Sequence, residues 1–241
     1  MTGRLIGVGV GPGDPELVTL KAIRTLNEAD VVAHFARNGS GGNARAIVAQ
    51  HLRPNIQELA LIYPTTTEIA KHESAYQDAM RDFYDVAAAR LAAHLDAGRL
   101  VTVICEGDPL FYGSYMHLHV RLAPRYPATI VPGVTGISGC WSAAGMPIAQ
   151  GDDVFTVIPG TLAEAELTRR LHDADAAVVM KLGRNLPKVR RALAQSGRLE
   201  RAIYVERGTT PDAVVTRLAD KPDDRAPYFA LVLVPGWDAR P

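Results

Sequence analysis

Short apolar runs alternate with helical spacings through the first half of this chain. Leu5 to Val10 predicts a buried strand, and Gly11-Pro12-Gly13-Asp14-Pro15 a turn directly after it. Leu17, Leu20, Ile23 and Leu26 then recur along one helical face. Val31 to Ala33 predicts a second short strand and Ala44 to His51 a helix. The clearest helix spans Ser74 to Ala97, where Tyr76, Met80, Phe83, Ala87, Leu91 and Leu95 recur at steps of three and four, and Gly98 supplies the stop. Leu100 to Cys105 and Ala128 to Val131 are further apolar strands. Strands separated by helices predict an open parallel sheet.

The second half has a different rhythm. Val154 to Ile158, Ala176 to Lys181, Ala202 to Glu206, Val214 to Leu218 and Tyr228 to Val234 predict strands, with helices over Leu162 to Leu171 and Pro187 to Gln195. No helical pattern separates the last three strands, so that end of the sheet is expected to be partly antiparallel. Gly, Pro and polar residues interrupt both patterns between Pro147 and Gly151. The expected organisation is two α/β domains, 1–148 and 149–241, with a cleft between them. Arg37 to Asn43 contains Gly39, Gly41 and Gly42 and suits a flexible loop, a candidate lid.

Composition narrows the function class. Lys+Arg and Asp+Glu both number 26, giving a net charge of zero, and there is no basic stripe, so a nucleic-acid partner is not expected. Cys105 and Cys140 lack the close spacing of a zinc or redox motif and read as small buried hydrophobes in a reducing compartment. His117 and His119 stand at i and i+2 and do not share a helical face, so they read as structural, and no metal site is expected. No basic region followed by an apolar stretch and a cleavage site opens the chain, and no apolar run is long enough to span a membrane, which together point to the cytoplasm.

Three glycine-rich turns carry the candidate chemistry. Gly7-Val8-Gly9-Val10-Gly11-Pro12-Gly13-Asp14 invites a dinucleotide-binding fingerprint, but either register places Pro12 or Asp14 where the third glycine belongs. The acid that should end the second strand is also missing, since Asp30 precedes Val31 and Val32. Glu106-Gly107-Asp108-Pro109-Leu110-Phe111-Tyr112-Gly113 follows an apolar strand, where ligands bind in open α/β sheets. Gly107 permits close backbone approach and Asp108 offers a carboxylate, although a helix cap at Asp108 fits the same residues. Val131-Pro132-Gly133-Val134-Thr135-Gly136-Ile137-Ser138-Gly139-Cys140 leaves main-chain groups accessible to a flat ligand; close helix–sheet packing is the alternative.

Taken together, G-V-G-P-G-D-P-E-L-V-T-L-K-A at 9–22, E-G-D-P-L-F-Y-G at 106–113 and V-P-G-V-T-G-I-S-G-C at 131–140 resemble the tetrapyrrole methylase superfamily in order and spacing. The likeness continues to about Pro235. G-D-P-L-F-Y-G-S-Y-M at 107–116, P-G-T-L at 159–162, M-K-L-G-R-N-L-P-K-V at 180–189 and Y-V-E-R-G-T at 204–209 are similar to the branch that methylates carbon 20 of precorrin-2. Where other branches carry small residues before G-D-P, this chain has Glu106. The resemblance implies S-adenosylmethionine as co-substrate, S-adenosylhomocysteine as product, a cofactor site in an interdomain cleft and a homodimer. Carried across motif by motif, it implies cofactor contacts at Pro12, Glu106, Gly107, Asp108, Phe111, Thr135, Gly136, Leu182, Gly208 and Tyr228. Leu182 as core and Gly208 as a turn glycine are the ordinary alternatives.

On that resemblance the substrate is a polycarboxylate ring, which suits guanidinium and ammonium donors. Arg37, Arg184, Lys188 and Arg207 lie in or beside turns and are the candidates. The stretch Tyr63 to Glu68 is a candidate substrate wall. A proton must leave carbon 20 after methylation, and Asp108, Glu106, His34 and Tyr112 are the candidate bases, with Asp108 taken as the catalytic group. Three other readings stay open: the cobalt-containing substrate of an anaerobic route, another tetrapyrrole position, and a non-catalytic tetrapyrrole carrier.

Overall fold

A computed structural model describes residues 2–37, 41–64 and 74–236, and it places the first apolar run in a strand, β1 (Arg4–Gly9). The chain continues through α1 (Leu20–Glu28), β2 (Val31–Ala36), α2 (Asn43–Ile47), β3 (Gln57–Ile62), α3 (Ser74–Asp96), β4 (Leu100–Cys105), α4 (Tyr115–Leu122) and β5 (Ala128–Val131). These strands form one sheet in the order β3-β2-β4-β1-β5, parallel at every junction. The expected parallel sheet is therefore present. Predicted and observed strands agree closely, except that β2 runs on to Ala36 and β3 was not anticipated.

Both faces of this sheet are covered. On one, Leu91 and Leu95 of α3 and Leu118 of α4 pack with Leu5, Val101 and Val103, all fully buried. On the other, Ala22 and Leu26 of α1 and Ala44 and Ile47 of α2 pack with Val8, Val32 and Ile104. Two-sided burial explains why the strands read as continuous apolar runs rather than alternating ones. The Thr19 side chain caps α1 by accepting the Ala22 N–H at 3.1 Å.

The second unit contains α5 (Gly136–Ala144), β6 (Phe155–Pro159), α6 (Glu164–Asp173), β7 (Ala176–Met180), α7 (Leu186–Gln195), β8 (Ile203–Glu206), β9 (Val214–Arg217) and β10 (Ala230–Val234). Its sheet runs β6-β7-β10-β8-β9. Only β6 and β7 are parallel; β10 is antiparallel to both β7 and β8, and β9 is antiparallel to β8. β9 folds back on β8 through a short link with no helix, and β10 enters between β7 and β8, antiparallel to both.

The two units are Met1–Thr135 and Gly136–Pro241. The break in sequence pattern at 148/149 lies inside the second unit, since α5 packs on β8 and β10. Cys105 and Cys140 are both free and buried, and burial pushes their thiols up to about 12 and about 11, so neither supplies a thiolate near neutral pH. No described helix is long and apolar enough to cross a membrane.

Candidate functional site

The turns after β1, β4 and β5 meet at the carboxyl edge of the first sheet. The Gly107 N–H donates to the Gly11 carbonyl at 2.8 Å and the Val10 N–H to the Cys105 carbonyl at 2.9 Å, tying the first turn to the second. The third joins by backbone contact: a Cβ added to Gly133 would lie 2.1 Å from the Gly107 carbonyl oxygen, and one added to Gly9 would lie 2.6 Å from the Gly133 nitrogen. The glycines of these motifs are thus needed first for packing the turns on one another. Gly107 also adopts φ 62°, a conformation that favours glycine. At Gly136, by contrast, an added Cβ meets nothing within 4 Å, so space stands open there.

Asp108 braces this arrangement. One carboxylate oxygen accepts the Leu110 N–H at 2.9 Å, and the other accepts the Gly133 N–H at 3.2 Å. The cap expected from the sequence is present, together with a link to the third turn that spacing did not reveal. Phe111 is half-buried, donates its N–H to the Asp108 carbonyl and meets Tyr112 edge-on at 5.0 Å. Pro12 is half-buried between Gly11 and Gly13, and Thr135 is half-buried at the end of the third turn.

Glu106 directly follows the last residue of β4. Its carboxyl is hydrogen-bonded by the Asn43 side chain, from the first residue of α2, and burial pushes its pKa up to about 7. Asn43 is the site residue that sequence reasoning missed. It ended a stretch taken as a loop, and only its helix-start chemistry hinted at a role. The Gly39–Gly42 lid and the Thr65–Glu68 part of the candidate wall fall wholly or partly outside the described residues. Tyr63 itself stacks on Phe35 at 5.5 Å and bonds the Ser114 hydroxyl.

The histidines separate by environment. His34 is buried on β2, its Nε2 lies 3.7 Å from Glu58, and its Nδ1 has no hydrogen-bond partner; burial lowers its pKa. Glu58 is itself held by Arg45 through two 2.9 Å hydrogen bonds, which lower its pKa. His117 stacks on Tyr84 at 4.3 Å, and His119 bonds the Tyr115 hydroxyl at 3.2 Å. Among the described residues no cluster of His, Cys, Asp or Glu is able to hold a metal ion.

In the second unit, Leu182 is fully buried in the core, so any contact it makes is through its main chain. Gly208 packs on α5, where an added Cβ would lie 2.8 Å from the Cys140 sulfur. Tyr228 is 72% exposed and meets Phe229 edge-on. Arg184 is exposed in the turn Gly183–Asn185, and Lys188 follows in the first turn of α7. Arg207 is engaged by Glu206 at 2.5 Å and by Asp212 at 3.0 Å. Arg37 is exposed just past β2 in the first unit.

The donor set suits a cationic, largely neutral-bodied ligand. Two carboxyls, Glu106 and Asp108, flank Gly107, and main-chain groups supply the remaining polarity. A sulfonium next to a nucleoside fits the Asp108 carboxylate and these main-chain groups, whereas a pyrophosphate does not.

Comparison with known proteins identifies the family. Residues 4–221 match the family model of tetrapyrrole (corrin/porphyrin) methylases. The precorrin-2 C(20)-methyltransferase of Sinorhizobium sp is 64% identical over 239 residues, covering 99% of this chain and 98% of that protein. The cobalt-precorrin-2 C(20)-methyltransferase of Salmonella typhimurium is 32% identical over 237 residues, covering 97% of each. Among solved structures, the uroporphyrin-III C-methyltransferase of Thermus thermophilus complexed with S-adenosyl homocysteine matches with a TM-score of 0.66 at 25% identity, covering 96% of this chain and 97% of that one.

Proposed function

Since the chain belongs to the tetrapyrrole (corrin/porphyrin) methylases, we propose that it methylates carbon 20 of precorrin-2, giving precorrin-3A in cobalamin synthesis. The carrying observation is the 64% identity to the Sinorhizobium enzyme over nearly the full length of both chains. The lower identity to the cobalt-precorrin-2 enzyme, 32% against 64%, supports the reading that the substrate is metal-free.

S-adenosylmethionine supplies a methyl group already activated on a sulfonium. The chain's residues therefore need no nucleophile; they hold and orient. Pro12, Gly107, Asp108, Phe111, Thr135 and Gly136 are assigned to the co-substrate from the first three motifs, and Glu106 through its main chain alone. Leu182, through its main chain, Gly208 and Tyr228 are assigned from the later ones. Fixing both reactants near attack distance is worth about 7–11 kcal/mol. Arg184 in the turn before α7 and Lys188 in the first turn of that helix suit the substrate carboxylates; Arg37 and Arg207 are assigned the same role, Arg207 against competition from its own acids.

Transfer of a labelled methyl to enzymatically made precorrin-2, read by mass and carbon NMR, tests the function. One added methyl on carbon 20 is expected. Transfer only to the cobalt-bound ring, or to another carbon, would overturn the substrate assignment. The active protein is further taken as a cytoplasmic homodimer, and sedimentation at monomer mass would refute the dimer.

A further inference from the structure

Four groups compete for the proton that must leave carbon 20, and the structure separates them. Both oxygens of Asp108 already accept main-chain N–H groups, from Leu110 and Gly133. His34 is buried on β2, in register with Ile104, and its unpartnered nitrogen is shut off from solvent. Tyr112 lies exposed past the turn, its ring edge-on to Phe111 at 5.0 Å. Glu106 is only half-buried, and its carboxyl is held by the neutral Asn43 side chain.

Deepening the proposed C20 methylation, on which this assignment rests, we propose that Glu106 is the base that takes the carbon 20 proton and that Asn43 positions it. The C20–methyl bond forms as the methyl–sulfur bond breaks, with that electron pair remaining on sulfur. The C20–H bond then breaks, its pair returns to the conjugated ring, and the proton passes to a Glu106 oxygen. The resulting neutral acid afterwards loses the proton to water.

Three features support this role. Side chains alternate along β4, so Glu106 continues the face of Ile104, the face covered by α2. Its backbone is fixed, because Gly107 is tied to Gly11. The groups around it leave it near the working range of a neutral-pH base, which is where general-base efficiency peaks. Cys105 beside it is a neutral thiol; Asp108 lies two residues on; Asn43 from α2 is uncharged; Asp14 of the β1 turn is occupied in accepting the Glu16 N–H. His34 on β2 is kept toward its neutral form, and its neighbour Glu58 is paired with Arg45. The β5 turn from Val131 to Thr135 has no titratable side chain.

The test compares the full-length wild type, Glu106→Gln and Asn43→Ala. In the ligand-free protein, carbon NMR of labelled glutamate should show a carboxyl titrating at about 7, absent from Glu106→Gln and moved upward in Asn43→Ala. With precorrin-2, Glu106→Gln should lower kcat on the order of 100-fold and remove the ascending limb of the pH profile. Its S-adenosylmethionine affinity should stay within about threefold of wild type, a difference below 1 kcal/mol. Asn43→Ala should shift the limb by the same amount as the carboxyl titration. An unchanged kcat and pH limb in Glu106→Gln overturns the assignment, as does lost cofactor affinity with kcat intact, which would make Glu106 a cofactor holder. A wild type that binds S-adenosylmethionine yet leaves precorrin-2 unmethylated overturns the substrate reading instead, and this assignment falls with it.

Discussion

The Asp108 carboxylate accepts the main-chain N–H of Gly133 at 3.2 Å, joining the turn after β4 to the turn after β5 across 25 residues. Two motifs far apart in the chain are thereby one structural unit. A substitution in either should disturb both.

Asp108→Ala should strand the N–H groups of Leu110 and Gly133 and lower stability by about 1–3 kcal/mol. S-adenosylmethionine affinity should fall at least about tenfold, equivalent to about 1.4 kcal/mol. Asp108→Asn, which keeps one oxygen acceptor, should recover part of the stability. Denaturant unfolding and calorimetry read the two effects separately, and an unchanged affinity would remove Asp108 from the cofactor site.

Gly133 and Gly136 stand three residues apart yet should respond in opposite ways. The Gly133→Ala methyl would meet the Gly107 carbonyl oxygen at 2.1 Å, backbone against backbone, so stability should drop by about 1–3 kcal/mol or more. Gly136→Ala places its methyl in open space at the start of α5, so stability should change by less than about 1 kcal/mol. If that space receives the cofactor, Gly136→Ala should still weaken binding. Thermal melts with and without S-adenosylhomocysteine separate the two cases.

Glu106 and His34 should contribute to pH-dependent stability with opposite signs. Burial raises the folded Glu106 pKa from 4.5 to about 7, so its stabilising contribution, fullest below the unfolded value, is lost as pH rises through about 7. Burial lowers the folded His34 pKa beneath 6.5, so the unfolded chain binds the extra proton and stability falls as pH drops below 6.5. Urea unfolding should show Glu106→Gln gaining on wild type by about 1 kcal/mol or more between pH 5 and pH 8. His34→Leu should flatten the loss on the acid side. A Glu106→Gln advantage independent of pH would contradict the burial of an ionisable carboxyl.

Arg184 and Arg207 offer a controlled comparison. Arg184 has no ion-pair partner among the described residues, whereas Arg207 is engaged by Glu206 and Asp212. Arg184→Ala should raise KM for precorrin-2 several-fold with little change in kcat, because a bond present in both ground and transition state is lost. Arg207→Ala should raise it less. Equal effects would mean that Arg207 exchanges its acids for the substrate.

Much of this was written in the chain. Strands buried on both faces appear as unbroken apolar runs, so Leu100–Cys105 and Ala128–Val131 were placed to the residue. The strand β3 went unseen because it is a sheet edge: Gln57 and Glu58 are exposed and only Leu61 is fully buried, leaving neither a continuous run nor a clean alternation. The 148/149 break marks where glycine and proline interrupt the pattern, while α5 belongs with the second unit because its apolar side meets β8 and β10.

The sequence by itself determined the parallel and mixed sheets, the three glycine turns and the family, because periodicity, turn chemistry and motif order are local properties of a chain. It named four possible bases and took Asp108 as the catalytic group. Only the tertiary structure set their environments apart, by occupying Asp108 with two main-chain N–H groups, burying His34, and bringing Asn43 from α2 onto Glu106, which follows β4. Proton affinity depends on burial and on neighbours distant in sequence, and those exist only once the chain has folded.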